Sequence, residues 1–354
     1  MLRILFVVLV AFSGLGSAEF KACSHNEVCI DIMDCPKYSK YTSSNKFWKS
    51  WRTLYQKDAE RARNQLCNMD TKGSTTVLSV CCSTQLNPES CGTTDRHKIS
   101  YGKTARGSEL PWMVALQTEH GNYVCGGTLI TDRYVLTAAH CLTSQLDKVV
   151  AVLIGRTTLT SPEDCSDEDC DDDGGYAPVQ VIPVQHIRHS LYSDRKKLND
   201  IALLRLASPA KLGKNVKPIC LPNGTPEQDI PPEGLGLLIV SGWGLTERGN
   251  SFDMLRYATL PHVPLQECTQ LQENLKLDPK TQLCAGGVNR VDNCLGDSGG
   301  PLQAISAGDK LQFIQYGVVA FGVTTCGEQN LPGVYTNVGA YLGWIFKTVE
   351  GITS

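Results

Sequence analysis

A chain of 354 residues is long enough for one large domain, or for a large domain with a small one beside it. Lysine and arginine number 33 against 36 aspartates and glutamates, and the net charge of −3 excludes a nucleic-acid or membrane partner held by bulk electrostatics. The 16 cysteines are even in number and read as eight disulfides of a secreted chain rather than as thiol or zinc chemistry.

The first residues, MLRILFVVLVAFSGLGSA, run from Arg3 through an apolar stretch, Ile4 to Phe12, into Gly16-Ser17-Ala18. That order is a secretory signal peptide over 1–18, and the run falls well short of the roughly 20 residues that span a bilayer. A soluble, extracellular chain from Glu19 onward is expected. Zinc is disfavoured because no pair of CxxC units occurs and Cys81 and Cys82 are adjacent.

Residues 19–82 carry Cys23, Cys29, Cys35, Cys67, Cys81 and Cys82, and so short a unit needs covalent staples. Between Cys35 and Cys67, Phe47, Trp51, Leu54 and Leu66 fall near helical spacing, with Ser44 or Asn45 as N-cap. Trp48 and Trp51 read as core, with a docking surface as the sharper alternative. The polar STQLNPES opens a linker over 83–98 that contains Cys91 and the basic DRHK. From Pro111 the pattern changes to short β-branched runs bounded by glycine, proline and asparagine: WMVALQ, YVLTAAHC, KVVAVLIG, QVIPVQHI, DIALLRLA, GLLIVSGWG, FIQYGVVAFGV and GVYTNV. These predict an all-β sandwich or barrel. At the end, Val338, Leu342, Ile345 and Val349 share one helical face, so a C-terminal helix is expected to pack back on the body.

LTAAHC, NDIALLRL and DNCLGDSGGPL occur in that order. Alone, Ser298 could be a turn residue, His140 a core imidazole and Asp200 a strand-end carboxylate. Together, in the order His140, Asp200, Ser298, they fit serine nucleophilic catalysis. A serine hydroxyl needs a base to take its proton as it attacks, and imidazole titrates near neutral pH. Asp200 would hold the tautomer and offset the imidazolium charge. Glycines around Ser298 let the N–H groups of Gly296 and Ser298 stabilise an oxyanion.

On these motifs, residues 99–354 resemble a trypsin-like serine protease of the chymotrypsin fold. The six cysteines upstream resemble a clip domain, so the mature chain is similar to the clip-domain serine proteases of arthropod haemolymph. The resemblance implies an all-β fold: a chymotrypsin-like double six-stranded β-barrel with a C-terminal helix, preceded by a small disulfide-rich clip domain. It implies that Asp292 lies at the floor of the specificity pocket, with Gly322 and Gly333 on its walls. A carboxylate in a slot wants a cation, so substrates should carry Arg or Lys before the scissile bond.

It also implies that cleavage after Lys98 frees the amino group of Ile99, a cation with a pKa near 8 that pairs with Asp297 and orders the pocket. The stretch DRHKISYGKT then reads as the switch of a zymogen, although ISYG stands where IVGG is common. The family pairing gives Cys23–Cys81, Cys29–Cys67 and Cys35–Cys82 in the clip domain, and Cys125–Cys141, Cys268–Cys284 and Cys294–Cys326 in the protease domain. Cys91–Cys220 would keep the two attached, and Cys165–Cys170 is the remaining pair.

Ala320 departs from the pattern, standing where relatives place a serine that supports the catalytic aspartate. The run PEDCSDEDCDDDGG leaves three readings open: a solvated acidic loop, calcium near Asp164, Asp167 and Glu168, or an exosite for a basic partner. Arg156 stands where calcium-binding relatives carry Glu, and no cofactor is otherwise required. His186 and His189 would point to opposite faces of a strand rather than form a metal pair. Asn223-Gly224-Thr225 is a glycosylation acceptor weakened by Pro226.

The function implied is cleavage of protein substrates, zymogens or a cytokine precursor, in an extracellular cascade of innate immunity such as melanisation by prophenoloxidase activation or Toll signalling. An upstream activating protease and a serpin inhibitor are the implied partners. The alternative is a non-catalytic clip-domain homologue acting as a binding cofactor. A digestive trypsin is the second rival, disfavoured by the tethered clip module.

Overall fold

The computed structural model has three antiparallel sheets, and the β-branched runs after Pro111 supply eight of the twelve strands in two of them; the strands of the third are not predicted by those runs. It describes residues 23–24, 27–32, 34–35, 64–72, 75–94, 105, 108–143, 147–160, 178–222, 237–244, 253–271, 277–287, 297–306, 312–321 and 331–351.

The described residues of 23–85 and 342–351 make one unit. Its sheet has the order β1 (Glu27–Asp31), β3 (Thr75–Ser83), β2 (Leu66–Lys72). Val28 and Val80 are fully buried, but beside them one core cluster consists of cysteines: Cys23, Cys67 and Cys81, with Cys29 against it. Three bridges replace the apolar interior that so few residues cannot build: Cys23–Cys81, Cys29–Cys67 and Cys35–Cys82. Closing loops of 58, 38 and 47 residues, each typically contributes about 2–4 kcal/mol. The helical spacing expected to include Leu66 does not hold there. Leu66 lies on β2, paired with Val80, because Cys67 is tied to Cys29 and draws the chain into the sheet. Phe47, Trp48, Trp51 and Leu54 lie outside the described residues.

The C-terminal helix α2 (Leu342–Val349) buries Leu342, Ile345, Phe346 and Val349. Its predicted first turn is instead a 3-10 turn, Val338–Tyr341. Lys347, in the last turn, reaches Asp34 at 2.6 Å, where a cation also meets the helix dipole favourably. Glu350, one residue beyond the helix, accepts from the Thr84 hydroxyl at 3.0 Å and the Gln85 N–H at 2.8 Å.

The described residues of 86–222 and 237–341 make the second unit, two closed six-stranded barrels. The first runs β4 (Met113–Thr118), β5 (Tyr123–Leu129), β6 (Tyr134–Thr137), β9 (Ala202–Leu206), β8 (Gln180–Arg188), β7 (Val149–Ile154). The second runs β10 (Leu237–Gly242), β11 (Arg256–Val263), β12 (Gln282–Gly286), β15 (Pro332–Asn337), β14 (Phe313–Phe321), β13 (Pro301–Ile305). One helix, α1 (Leu265–Leu271), is tied to β12 by Cys268–Cys284. Strand β14 is buried along nearly its whole length. Gln315 is tolerated there because the hydroxyl of Thr128, on β5, donates to its Oε1 at 2.6 Å and its own amide donates to Gly317 O at 3.1 Å. That buried bond and the Trp243 indole N–H on Thr157 O at 2.8 Å cross from one barrel to the other.

The polar stretch read as a linker is in part built into this second unit. Leu86, Asn87 and Cys91 are buried. Asn87, at φ 56°, donates through Nδ2 to Leu221 O at 2.9 Å and accepts the Leu221 N–H at 2.7 Å. Its polarity serves a buried backbone rather than solvent. Gly92 then exchanges bonds with Pro218 and Phe313, and Cys91–Cys220 closes the join. Asn87→Ala should therefore lower stability by about 1–3 kcal/mol for each buried group left unpaired, read as a fall in the denaturant midpoint of the oxidised chain.

Candidate active site

His140 opens a 3-10 turn, His140–Leu142, directly after β6. The disulfide Cys125–Cys141 pins that turn to β5, and the Thr143 hydroxyl caps His140 O at 2.9 Å. Its ring faces Asp200, which precedes β9. The His140 backbone N–H donates to Asp200 Oδ1 at 2.8 Å and its Nδ1–H to Oδ2 at 2.7 Å. The Asp200 side chain is 3 % exposed and that of His140 is 23 % exposed. With Nδ1 committed to the carboxylate, Nε2 is the nitrogen left to take a proton.

Asp200 is held from behind as well. Thr336, on β15, donates its hydroxyl to Asp200 O at 2.8 Å. Asn199 sits at φ 54°, a left-handed turn that asparagine tolerates. Its Nδ2 donates to Leu191 O and its Oδ1 accepts the Tyr341 hydroxyl, both at 2.9 Å. Burial pushes Tyr341 up to about 12, so it remains a donor at neutral pH. His189 packs edge-on to Tyr341 with centroids 5.3 Å apart, and burial lowers its pKa. At the outer edge, the Lys197 ammonium 2.7 Å away holds the Asp194 carboxyl below its usual range.

Ser298 lies on a turn fixed from both barrels. Its carbonyl accepts the Gly126 N–H at 2.8 Å, from β5. Gly299 donates to Val319 O on β14 at 2.9 Å and has φ 79°. A Cβ there would overlap Gly126 O and Thr137 Oγ1 and stand 3.2 Å from Ala138 N, so the serine turn rests against the segment that leads to His140. Side chains His140 and Asp200, and the turn that carries Ser298, thus meet where the barrels join.

Gly333 is on β15, opposite Ala285, and Ala320 is buried near the end of β14. Among the described residues, the Asp200 carboxylate takes its hydrogen bonds from His140 alone. Lys98, Ile99, Asp164, Cys165, Asp167, Glu168, Cys170, Asn223, Asp292, Cys294, Gly296, Gly322 and Cys326 lie outside the described residues. Six of the eight implied disulfides fall within them, and all six form. The groupings Cys23-Cys67-Cys81 and Cys125-His140-Cys141 have metal-like spacing, but their sulfurs are disulfide-bonded and offer no thiolate. His186 donates to Val149 O at 2.8 Å and His189 packs on Tyr341, so the two do not converge.

Sequence reasoning missed Thr336, Asn199 and Tyr341. Asn199 stands next to Asp200 in NDIALL and could have been read as a turn residue. Thr336, inside GVYTNV, gives no local signal, because its partner is 136 residues away.

A family model described as Trypsin matches residues 99–345. Phenoloxidase-activating factor 3 of Holotrichia diomphalia is 38 % identical over 290 residues, covering 77 % of this chain and 80 % of its own. CLIP domain-containing serine protease B10 of Anopheles gambiae is 31 % identical, over 97 % of this chain and 98 % of its own. The crystal structure of the Drosophila Grass clip serine protease of the Toll pathway superposes with a TM-score of 0.67 at 31 % identity, covering 95 % of this chain and 99 % of that one.

Asp200→Asn should leave the turn in place but favour the wrong imidazole tautomer, lowering kcat by about 10,000-fold, measured on an Arg-amide substrate after activation. A second expectation concerns acid. Because the fold depresses the His189 pKa, the stability tied to its neutral form is present above its unfolded pKa of 6.5 and is lost as pH falls through the folded value. The thermal midpoint should therefore fall below pH 6.5, less steeply in His189→Gln.

Proposed function

The chain belongs to the clip-domain serine proteases of the trypsin family, and from that premise we propose that it is a secreted zymogen, cleaved after Lys98, whose active form cuts protein substrates after Arg or Lys. Its family makes it a serine endopeptidase. The observation that carries the catalytic assignment is the His140–Asp200 pair at 2.7 Å beside a turn on which Ser298 is pinned from both barrels.

The chemistry follows from that geometry. Ser298 Oγ bonds to the scissile carbonyl carbon while its proton passes to His140 Nε2. The carbonyl becomes an oxyanion, received by the N–H groups of Gly296 and Ser298. The C–N bond breaks as His140 returns the proton to the leaving amine, and water releases the acyl group by the same steps in reverse roles. Asp200 remains ionised throughout and offsets the imidazolium. Asp292 at the base of the pocket, with Gly322 and Gly333 leaving room, would pair with the Arg or Lys side chain.

Activation fits the same residues. Freed by cleavage, the Ile99 amino group pairs with Asp297, next to the nucleophile. The bond cut follows a lysine, so the activating protease shares this specificity, and a serpin is the fitting inhibitor. The fragment carrying residues 19–98 stays attached through Cys91–Cys220. A role in an extracellular immune cascade is supported by relatives whose names concern phenoloxidase activation and the Toll pathway. No cofactor takes part in these steps, and the acidic run after Arg156 stands as a calcium or exosite candidate apart from them.

A second reading, a non-catalytic binding cofactor, draws only on Ala320 and on the absence, among the described residues, of any donor to the Asp200 carboxylate other than His140. One experiment separates the two. The secreted chain is cut with a trypsin-like protease, the new N-terminus is sequenced, and an Arg-amide substrate is assayed beside Ser298→Ala. An ISYG end with activity appearing only then, and only with Ser298, is expected. An ISYG end with no turnover on peptide or protein would sink the catalytic reading, and Ala320→Ser would then be the variant to restore it.

A further inference from the structure

The carboxylate of Asp297 meets backbone. It reaches the segment leaving β10, where the Gly244 N–H donates to its Oδ1 at 2.9 Å. Both glycines of Gly242-Trp243-Gly244 press against it. A Cβ on Gly244 would stand 2.7 Å from Asp297 Cγ and Oδ1 and 2.9 Å from Oδ2, and one on Gly242 would overlap Oδ1 outright. The chain bends at Trp243, and side chains on either glycine would meet the same carboxylate, so their absence is what leaves the hollow it occupies.

Neither wall of that hollow is free to retreat. Trp243, between the glycines, is buried and bonds Thr157 O at 2.8 Å. Opposite, the Asp297 backbone is held by the Gly300 N–H on Asp297 O at 2.9 Å, and Gly300 itself lies so close to Ser241 O that a Cβ would stand 2.7 Å from it.

We propose that Gly242 and Gly244 form a socket that seats the Asp297 carboxylate for the new amino terminus. They are positioning residues for activation: they touch neither substrate nor reacting atoms, and act through Asp297 on the turn that carries Ser298. The inference rests on the zymogen reading above for its consequence, but not for the contact itself.

The test compares Gly244→Ala, Asp297→Ala and the double variant in the full chain. In the uncleaved chain, Gly244→Ala lowers the thermal midpoint, and the same change in the Asp297→Ala background costs little, since the group it collides with is gone. After cleavage, Gly244→Ala shows the ISYG end as the parent does, with kcat down by about 100-fold or more and KM moved less. The alkaline limit of its activity also moves to lower pH. A seated carboxylate holds the Ile99 amine protonated above its ordinary value near 8, and a displaced one does not.

Equal losses of stability in both backgrounds, or a cleaved Gly244→Ala chain with full activity, overturn the socket. If Gly244→Ala does not fold alone but folds with Asp297→Ala, the socket stands. If neither folds, the glycine serves something other than Asp297 and the inference fails. A parent chain cut after Lys98 that gains no activity counts instead against the zymogen reading, and leaves the stability comparison to be read independently.

Discussion

A carboxylate almost wholly removed from water is unfavourable unless donors meet it, and the centre of this molecule is arranged around one such group, Asp200. Its two oxygens take the backbone and ring N–H groups of a single residue, His140. That double contact fixes the ring in place as well as in tautomer. The backbone of Asp200 is held in turn by Thr336, which belongs to the other barrel. The aspartate therefore joins the barrels and orients the His140 ring at the same time, so loosening either contact disturbs the other. Without further donors to the carboxylate among the described residues, His140 bears the whole load.

The two units solve the problem of stability differently. The barrels of the second bury long apolar strands, and the polar groups caught inside, Gln315 and Thr128, satisfy each other. The small sheet of the first has too little interior for that and draws on three disulfides. Residues 86–92 belong with the barrels, anchored by Asn87, Gly92 and Cys91. The proposed cut at Lys98 falls a few residues beyond this anchorage, which would leave Cys91–Cys220 and the buried asparagine holding the N-terminal fragment.

Much of this was legible in the sequence for physical reasons. Alternating β-branched runs mark strands, and the three motifs around His140, Asp200 and Ser298 name chemistry by residue type. The pairing of cysteines came from family resemblance, since spacing alone permits many connectivities. What stayed hidden depends on contacts distant in sequence. Leu66 looked helical until Cys67 is seen tied to Cys29. STQLNPES looked like solvated linker because polarity alone cannot show that Asn87 bonds a buried backbone at Leu221. Thr336 and Tyr341 support the aspartate from 136 and 141 positions away, counting Tyr341 from residue 200, and no local pattern announces either.

The specificity of the motif Asp297-Ser298-Gly299-Gly300 now has a steric account. Each residue meets a different neighbour at close range. Asp297 fills the hollow beside Gly244, and Ser298 offers its carbonyl to Gly126 on β5. Gly299 adopts a left-handed backbone against Thr137 and Ala138 while bonding Val319 on β14, and Gly300 passes Ser241 with no room for a side chain. Four consecutive residues thus touch both barrels: Asp297 and Gly300 lie against residues 241–244, Ser298 and Gly299 against Gly126. A shift at Asp297 has no slack to absorb it before it reaches Ser298 one residue on. In the proposed activation, that rigidity is what would let a charge paired at Asp297 set the position of Ser298: the turn is too tightly enclosed to dissipate a displacement.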